Sequence, residues 1–211
     1  MIRDLFLPLP LISLADGATV FHPVQRLPER VTLESLALEV MTDLQQVTAV
    51  TVEPEASVEA ANARMIRSGV RLLFVTDPQH RLLGVITATD ILGEKVVQAM
   101  LERGVPRPEV LVREIMTPRE HLDAIDMHEV RGAKVGHILS TLKQAGRQHA
   151  IVVEIHEPSF HDRLVMHPQA SPRQTVRGLF STTQIARQLG LNLQSVELAK
   201  TFAEVEALLA H

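Results

Sequence analysis

The chain has 211 residues, 45 % of them apolar, enough for one sizeable domain or two small ones sharing a core. Aromatics supply only 3 %, with no Trp or Tyr, so the core must be aliphatic; the lack of Cys excludes disulfides, thiolate metal sites, iron–sulfur clusters and Cys nucleophiles. A net charge of −4 argues against broad nucleic-acid or acidic-membrane binding, both of which need a positive field.

Residues 1–32 are proline-rich and show no sustained periodicity, which predicts an extended N-terminal arm packed on the body or on a dimer partner. Leu5 to Ala15 is apolar, but Asp4, Pro8 and Pro10 interrupt a signal-peptide reading and the stretch is too short to span a bilayer; a cytoplasmic, soluble protein is expected. Thr32 is placed to cap a helix over Leu33 to Val40. Thr48 to Val52 alternates and is β-branched, predicting a strand. Ser57 caps a predicted helix through Ser68, with Val58, Ala61 and Met65 on one face and Gly69 ending it. Leu72–Val75 and Leu83–Ile86 flank a turn at Asp77-Pro78-Gln79-His80-Arg81, predicting a hairpin. A helix from Ala88 to Arg103 follows, closed by Gly104 and the prolines Pro106 and Pro108.

The same order then returns. Leu122 to Met127 reads as a strand, Lys134 to Ala145 as a helix stopped by Gly146, His149 to Ile155 and Val176 to Phe180 as a strand pair, and Thr182 to Leu189 as a helix. The hairpin of this second copy is much longer, with an insertion over 156–175 that carries His156, His161 and His167. These histidines lack i, i+4 placement and no zinc-protease motif is completed, so no metal site is expected and a mobile loop or partner-contact surface is the better reading. Val196 to Leu209 is apolar on one face and predicts a C-terminal helix.

The repeat extends to short motifs. Met41-Thr42 precedes Gly84-Val85-Ile86-Thr87-Ala88-Thr89-Asp90, and Met116-Thr117-Pro118 precedes Gly178-Leu179-Phe180-Ser181-Thr182-Thr183-Gln184. Each copy is β-α-β-β-α, too small to bury its own sheet face, so two copies packed sheet to sheet by pseudo-twofold symmetry are expected, an α+β fold. The expected division is an arm (1–32), repeat 1 (33–108), repeat 2 (109–190) and a helical tail (191–211).

This arrangement resembles the cystathionine-β-synthase (CBS) domain pair, or Bateman module, over about residues 33–190. The resemblance implies a regulatory module without a catalytic centre, whose clefts between repeats bind an adenosine-containing ligand such as AMP, ADP, ATP or S-adenosylmethionine. It implies no required cofactor, a homodimer, an unknown protein target and no nucleic-acid or membrane partner. By resemblance, Thr87 contacts phosphate or ribose and Asp90 takes the ribose hydroxyls, with Val85, Ile86 and Thr89 beside them; Ser181 and Leu179 match in copy two, where Gln184 replaces the acid. A carboxylate offers two acceptor oxygens to a vicinal diol, whereas Gln offers one acceptor and one donor. An asymmetric pair is therefore expected, with a competent copy-one site and an altered copy-two site. Arg71 stands near a strand end, where phosphate is reachable, and His149 replaces Leu72 in an apolar run that lines the second cleft. Plainer readings exist for each: an acid in a first helical turn is favoured by the helix dipole, Thr and Ser cap helices, strand-end arginines are mostly solvated, and a histidine in an apolar run is commonly a satisfied core residue. The competing function is a dimerisation scaffold that has lost ligand binding.

Overall fold

A computed structural model of the chain describes residues 24–157 and 172–191, together with Ser13 and Ala15. Most of the predicted arm, the centre of the long insertion with His161 and His167, and the C-terminal helix lie outside the described residues.

Copy one runs β1 (Thr42–Asp43), β2 (Thr51–Val52), α1 (Val58–Ser68), β3 (Leu72–Thr76), β4 (Leu82–Thr87), α2 (Ala88–Leu92) and α3 (Glu94–Arg103). A short α4 (Val112–Ile115) leads into copy two: β5 (Thr117–Pro118), β6 (Ala124–Asp126), α5 (Met127–Gly132), α6 (Val135–Gln144), β7 (His149–His156), β8 (Arg173–Ser181) and α7 (Thr182–Gln188).

Local chemistry sets most of these limits. Ser57 accepts from Ala60 N at the start of α1, and Gly69 closes it with φ +64°, a left-handed conformation that disfavours any residue with a Cβ. In the β3–β4 turn, Asp77 Oδ1 accepts from Gln79 N and Arg81 N, an Asx-type closure. Three sequence readings are corrected. The predicted helix 33–40 is a single 3-10 turn over Ala37–Val40. The predicted helix 88–103 breaks at Gly93, where a Cβ would come within 2.7 Å of Thr89 O. An additional helix, α5, starts where the Asp126 side chain caps His128 N at 2.9 Å.

Two four-stranded sheets result, ordered β2-β3-β4-β5 and β6-β7-β8-β1. Within each, the first two strands are parallel and the hairpin is antiparallel. The outer strands are exchanged. Copy one's β1 pairs with β8 of copy two (Thr42 opposite Leu179), and copy two's β5 pairs with β4 of copy one (Thr117 opposite Val85).

This exchange explains the repeated Met-Thr and Gly motifs. A Cβ on Gly84 would lie 2.4 Å from Thr117 O, and one on Gly178 would lie 2.7 Å from Met41 Sδ and 2.9 Å from Thr42 O. The Met-Thr of each copy is thus seated on the glycine of the other, at a spacing no larger residue permits.

The core has three parts. Val58, Ala61, Met65, Leu73, Val75, Ile86 and Ile91 pack under the copy-one helices together with Val110, Val112 and Ile115 from the connecting segment. Ile138, Leu139, Leu142, Val152, Phe180 and Ile185 pack under the copy-two helices together with Ala37, Val40 and Met41. Between the sheets, Leu72, Phe74, Val85 and Ile151 form the shared layer, flanked by Leu122, Val153, Val176 and Leu179. The alternation along β3 sorts Leu72 and Phe74 to the inter-sheet layer and Leu73 and Val75 to the helices, as period two requires.

β1 is further clamped by charge. Asp43, 8 % exposed, pairs with Arg177 on β8 and accepts from Gln45 N and Gln46 Nε2; Arg177 also reaches Glu154 at 3.6 Å. Burial pushes the Asp43 carboxyl up, but the Arg177, Gln45 and Gln46 contacts outweigh it and hold the pKa below the ordinary carboxylate value. At the equivalent places in copy one stand Pro118 and Leu83, so the two sheets close by different means. Among the described residues no helix is long and apolar enough to cross a membrane.

Candidate functional site

At the helix-start end of the sheet interface lies a cleft of about 290 Å³. One wall is copy one: Leu72, Val85, Thr87, Thr89 and Asp90. The other is copy two: Leu122, Asp123, the stretch Gly146–His149, and Ile151, with Thr117 between them. The apolar floor belongs to the inter-sheet layer, and the polar groups gather where β4 passes into α2.

Thr87 and Asp90 are fixed reciprocally there. The Thr87 hydroxyl accepts from Asp90 N at 3.2 Å and donates to Asp90 Oδ2 at 2.6 Å, while Thr87 N donates to Asp90 Oδ2 at 2.9 Å. This is a capping box, so the plain structural role of Asp90 is real, and its side chain remains 12 % exposed towards the cleft. Its other oxygen, Oδ1, takes Lys95 Nζ at 2.5 Å, and the same ammonium donates to Ile115 O at 3.3 Å.

His149 faces the cleft from β7, paired across the ladder with Ser181. Burial first, and the Arg71 guanidinium second, lower its pKa to about 4 against an upward pull from Asp90. The imidazole is neutral at pH 7. Beside it, Arg147 donates to His121 O at 3.0 Å and to Asp123 Oδ2 at 3.2 Å, and Gln148 O is held by Thr182 N and Oγ1.

Of the residues singled out in the sequence, the structure brings Val85, Thr87, Thr89 and Asp90 into this cleft, and it corrects His149, expected at the second cleft, which lines the Asp90 cleft because β7 of copy two forms the facing wall. Ile86 turns to the helical core of copy one, as strand alternation demands, and Leu179 joins the inter-sheet layer. Arg71 is exposed at the start of β3 and acts on His149 through its charge. Ser181 and Gln184 sit at the equivalent turn in copy two. There Gln184 Oε1 accepts from Thr42 Oγ1 at 3.3 Å and its Nε2 donates to Val40 O at 3.2 Å.

Val40 and Ile115 occupy matching places before the two Met-Thr motifs. Both carbonyls are held, one by Gln184 directly and the other by Lys95, which is paired to Asp90. Sequence reasoning missed Lys95, Thr117, Leu122, Asp123 and Gln148. Aligning His149 with Leu72 makes 146–148 the equivalents of 69–71 at the entry to the hairpin, and the repeated Met-Thr makes Thr117 the equivalent of Thr42; Lys95 gives no signal, because the break at Gly93 sets its direction.

A larger cavity, about 840 Å³, opens at the hairpin end of the interface, floored by Phe74, Leu82, Ile151 and Val153, with Arg81 and Arg119 among its lining. Among the described residues, no group of three or more His, Asp or Glu is placed to hold a metal ion.

The fold defines a pair of sheet-packed β-α-β-β-α copies, and it is similar to that of a solved structure. A conserved protein of Pyrococcus horikoshii is 17 % identical, covering 79 % of this chain and all of its own, with a TM-score of 0.50. A CBS-domain-containing protein of Agrobacterium tumefaciens is 16 % identical over 74 % of this chain and 94 % of its own, at 0.49. The plant protein CBSX2, solved in complex with AMP, is 17 % identical over 72 % of this chain and 94 % of its own, at 0.47. No curated protein matches. Residues 37–97 match the family model of the CBS domain.

Proposed function

We propose that this chain is a non-catalytic regulatory module that binds one adenosine-containing ligand in the cleft at Thr87 and Asp90. The observation that carries the reading is the largely buried Asp90 carboxylate, fixed by Thr87 at the mouth of an apolar cleft between the two copies. Such a group suits a vicinal diol, and hydrogen bonds to an ionised acceptor contribute about 1.5–3 kcal/mol each. The apolar floor suits a planar base, and Arg71 and Arg147 lie near for phosphate. In copy two the matching position is neutral and already satisfied within the fold, which supports one site rather than two.

Ligand bridging the walls changes the relation of the copies or a dimer contact, and a partner reads that change; the requirement is differential affinity for the two states. The dimer reading is supported by Ile66, Leu92, Val97 and Leu101, large apolar side chains more than half exposed on α1, α2 and α3. The same surface supports the scaffold alternative if no ligand binds.

A thermal-shift panel with AMP, ADP, ATP and S-adenosylmethionine tests this on wild type and Asp90→Ala. At 100 times Kd a ligand stabilises by about 2.7 kcal/mol, several degrees for a chain of this size. A shift abolished by Asp90→Ala is expected. No shift with any of the four, in protein free of bound nucleotide, leaves the scaffold.

A further inference from the structure

We propose that Lys95 couples occupancy of Asp90 to the segment that enters copy two. The inference rests on the adenosine reading above and concerns how that site signals.

A carboxylate has about four lone-pair sites. Three are in use: Oδ2 takes Thr87 N and Thr87 Oγ1, and Oδ1 takes Lys95 Nζ. A vicinal diol brings two more donors, one beyond what remains, so a present partner must yield. Thr87 N is fixed by the backbone turn from β4 into α2. The Thr87 hydroxyl is held in place because it also accepts from Asp90 N. Lys95 is on a flexible four-carbon stem with its side chain 49 % exposed, so water replaces its bond at least cost.

Lys95 is not a private partner of Asp90. Its ammonium also holds Ile115 O, the last residue of α4, whose side chain is 2 % exposed in the copy-one core. Two residues on, Thr117 pairs with Val85 and itself lines the cleft. A ligand that takes Oδ1 therefore frees the ammonium and loosens one tether on the strand shared between the copies. Copy two has no such relay: its equivalent of Lys95 is Leu189, and Gln184 grips Val40 O without an intermediary.

Lys95→Met keeps the apolar stem and removes the ammonium. AMP binding by calorimetry and amide exchange of residues 112–117 read the two halves of the proposal. We expect Lys95→Met to bind AMP about two- to five-fold more tightly, the release of one half-exposed ion pair. We also expect 112–117 to exchange faster in wild type with AMP, and in Lys95→Met already without it, with no further change on adding AMP. Weaker binding by Lys95→Met would make Lys95 a direct phosphate contact and overturn the coupling. Equal binding together with unchanged exchange overturns it as well, leaving the adenosine reading intact. The calorimetry uses AMP, or whichever of ADP, ATP and S-adenosylmethionine binds wild type in its place; binding by none of the four overturns that reading and the coupling together.

Discussion

The two turns from hairpin to helix solve one problem in two ways. In copy one, Asp90 caps its own helix, and Lys95 bridges it to the Ile115 carbonyl. In copy two no side chain caps the helix, and a single amide makes the bridge directly: Gln184 accepts from Thr42 Oγ1 and donates to Val40 O. The first arrangement keeps a charge at the cleft mouth and depends on a mobile cation. The second is neutral and closed on itself. An acid-to-amide change within a repeat thus leaves packing intact while removing the group that a diol would recognise.

The copies also differ in how the exchanged strand is fastened, and this gives the largest expected effect. Asp43→Ala leaves the largely buried Arg177 with only its 3.6 Å contact to Glu154 and should cost about 3 kcal/mol, the lower end for breaking a buried ion pair. Pro118→Ala, at the matching place in copy one, should cost less than about 1 kcal/mol, since nothing charged is uncovered. Urea unfolding of both variants checks the contrast; equal losses would mean that the ion pair is not what secures β1.

His149 against Leu72 is the next test. A histidine whose folded pKa is about 4, below its ordinary 6.5, binds fewer protons folded than unfolded. Its contribution is complete above pH 6.5 and is lost as pH falls towards 4. Wild type should lose on the order of 2 kcal/mol between pH 7 and pH 5 from this group, at 1.36 kcal/mol per unit. His149→Leu, which copies the residue of copy one, should flatten that part of the profile. A slope that survives the substitution would assign it to other groups.

The smallest effect is the most diagnostic of the repeat itself. Gln184→Asp removes the donor to Val40 O and should cost about 1–2 kcal/mol. Adding Leu189→Lys rebuilds the copy-one arrangement and should recover about 0.5–1 kcal/mol beyond additivity. A double-mutant cycle with no coupling would break the equivalence drawn between the two turns.

How much of this was legible in the sequence depends on range. Local signals held: Ser57 and Gly69 bounded α1, the Asp77 turn made a hairpin, and the duplicated order of elements gave two sheets packed face to face. The strand exchange was not legible, because β1 and β5 are two residues each and their partners are set by tertiary packing rather than by periodicity. Gly93 was read as helix interior because one glycine in an apolar-periodic run is weak evidence of a break. At the cleft, Thr87 and Asp90 were found from the motif and His149 from its departure from Leu72. Lys95 and Asp123 were invisible, since their placement depends on helix direction and on the facing copy.

The exchanged strands have a consequence for how the protein is made. Thr42 pairs with Leu179, so one of the first described strands waits for one of the last. During synthesis, Val40 and Met41 have no glycine and no Phe180 to settle against until most of the chain has left the ribosome, and long-range pairings of this kind slow folding. Copy one can complete its sheet as soon as Pro118 has emerged. A nascent chain arrested after Gln148 should therefore have its copy-one strands paired while Leu72, Phe74 and Val85 still lack the facing sheet and its own leading segment is open to cleavage.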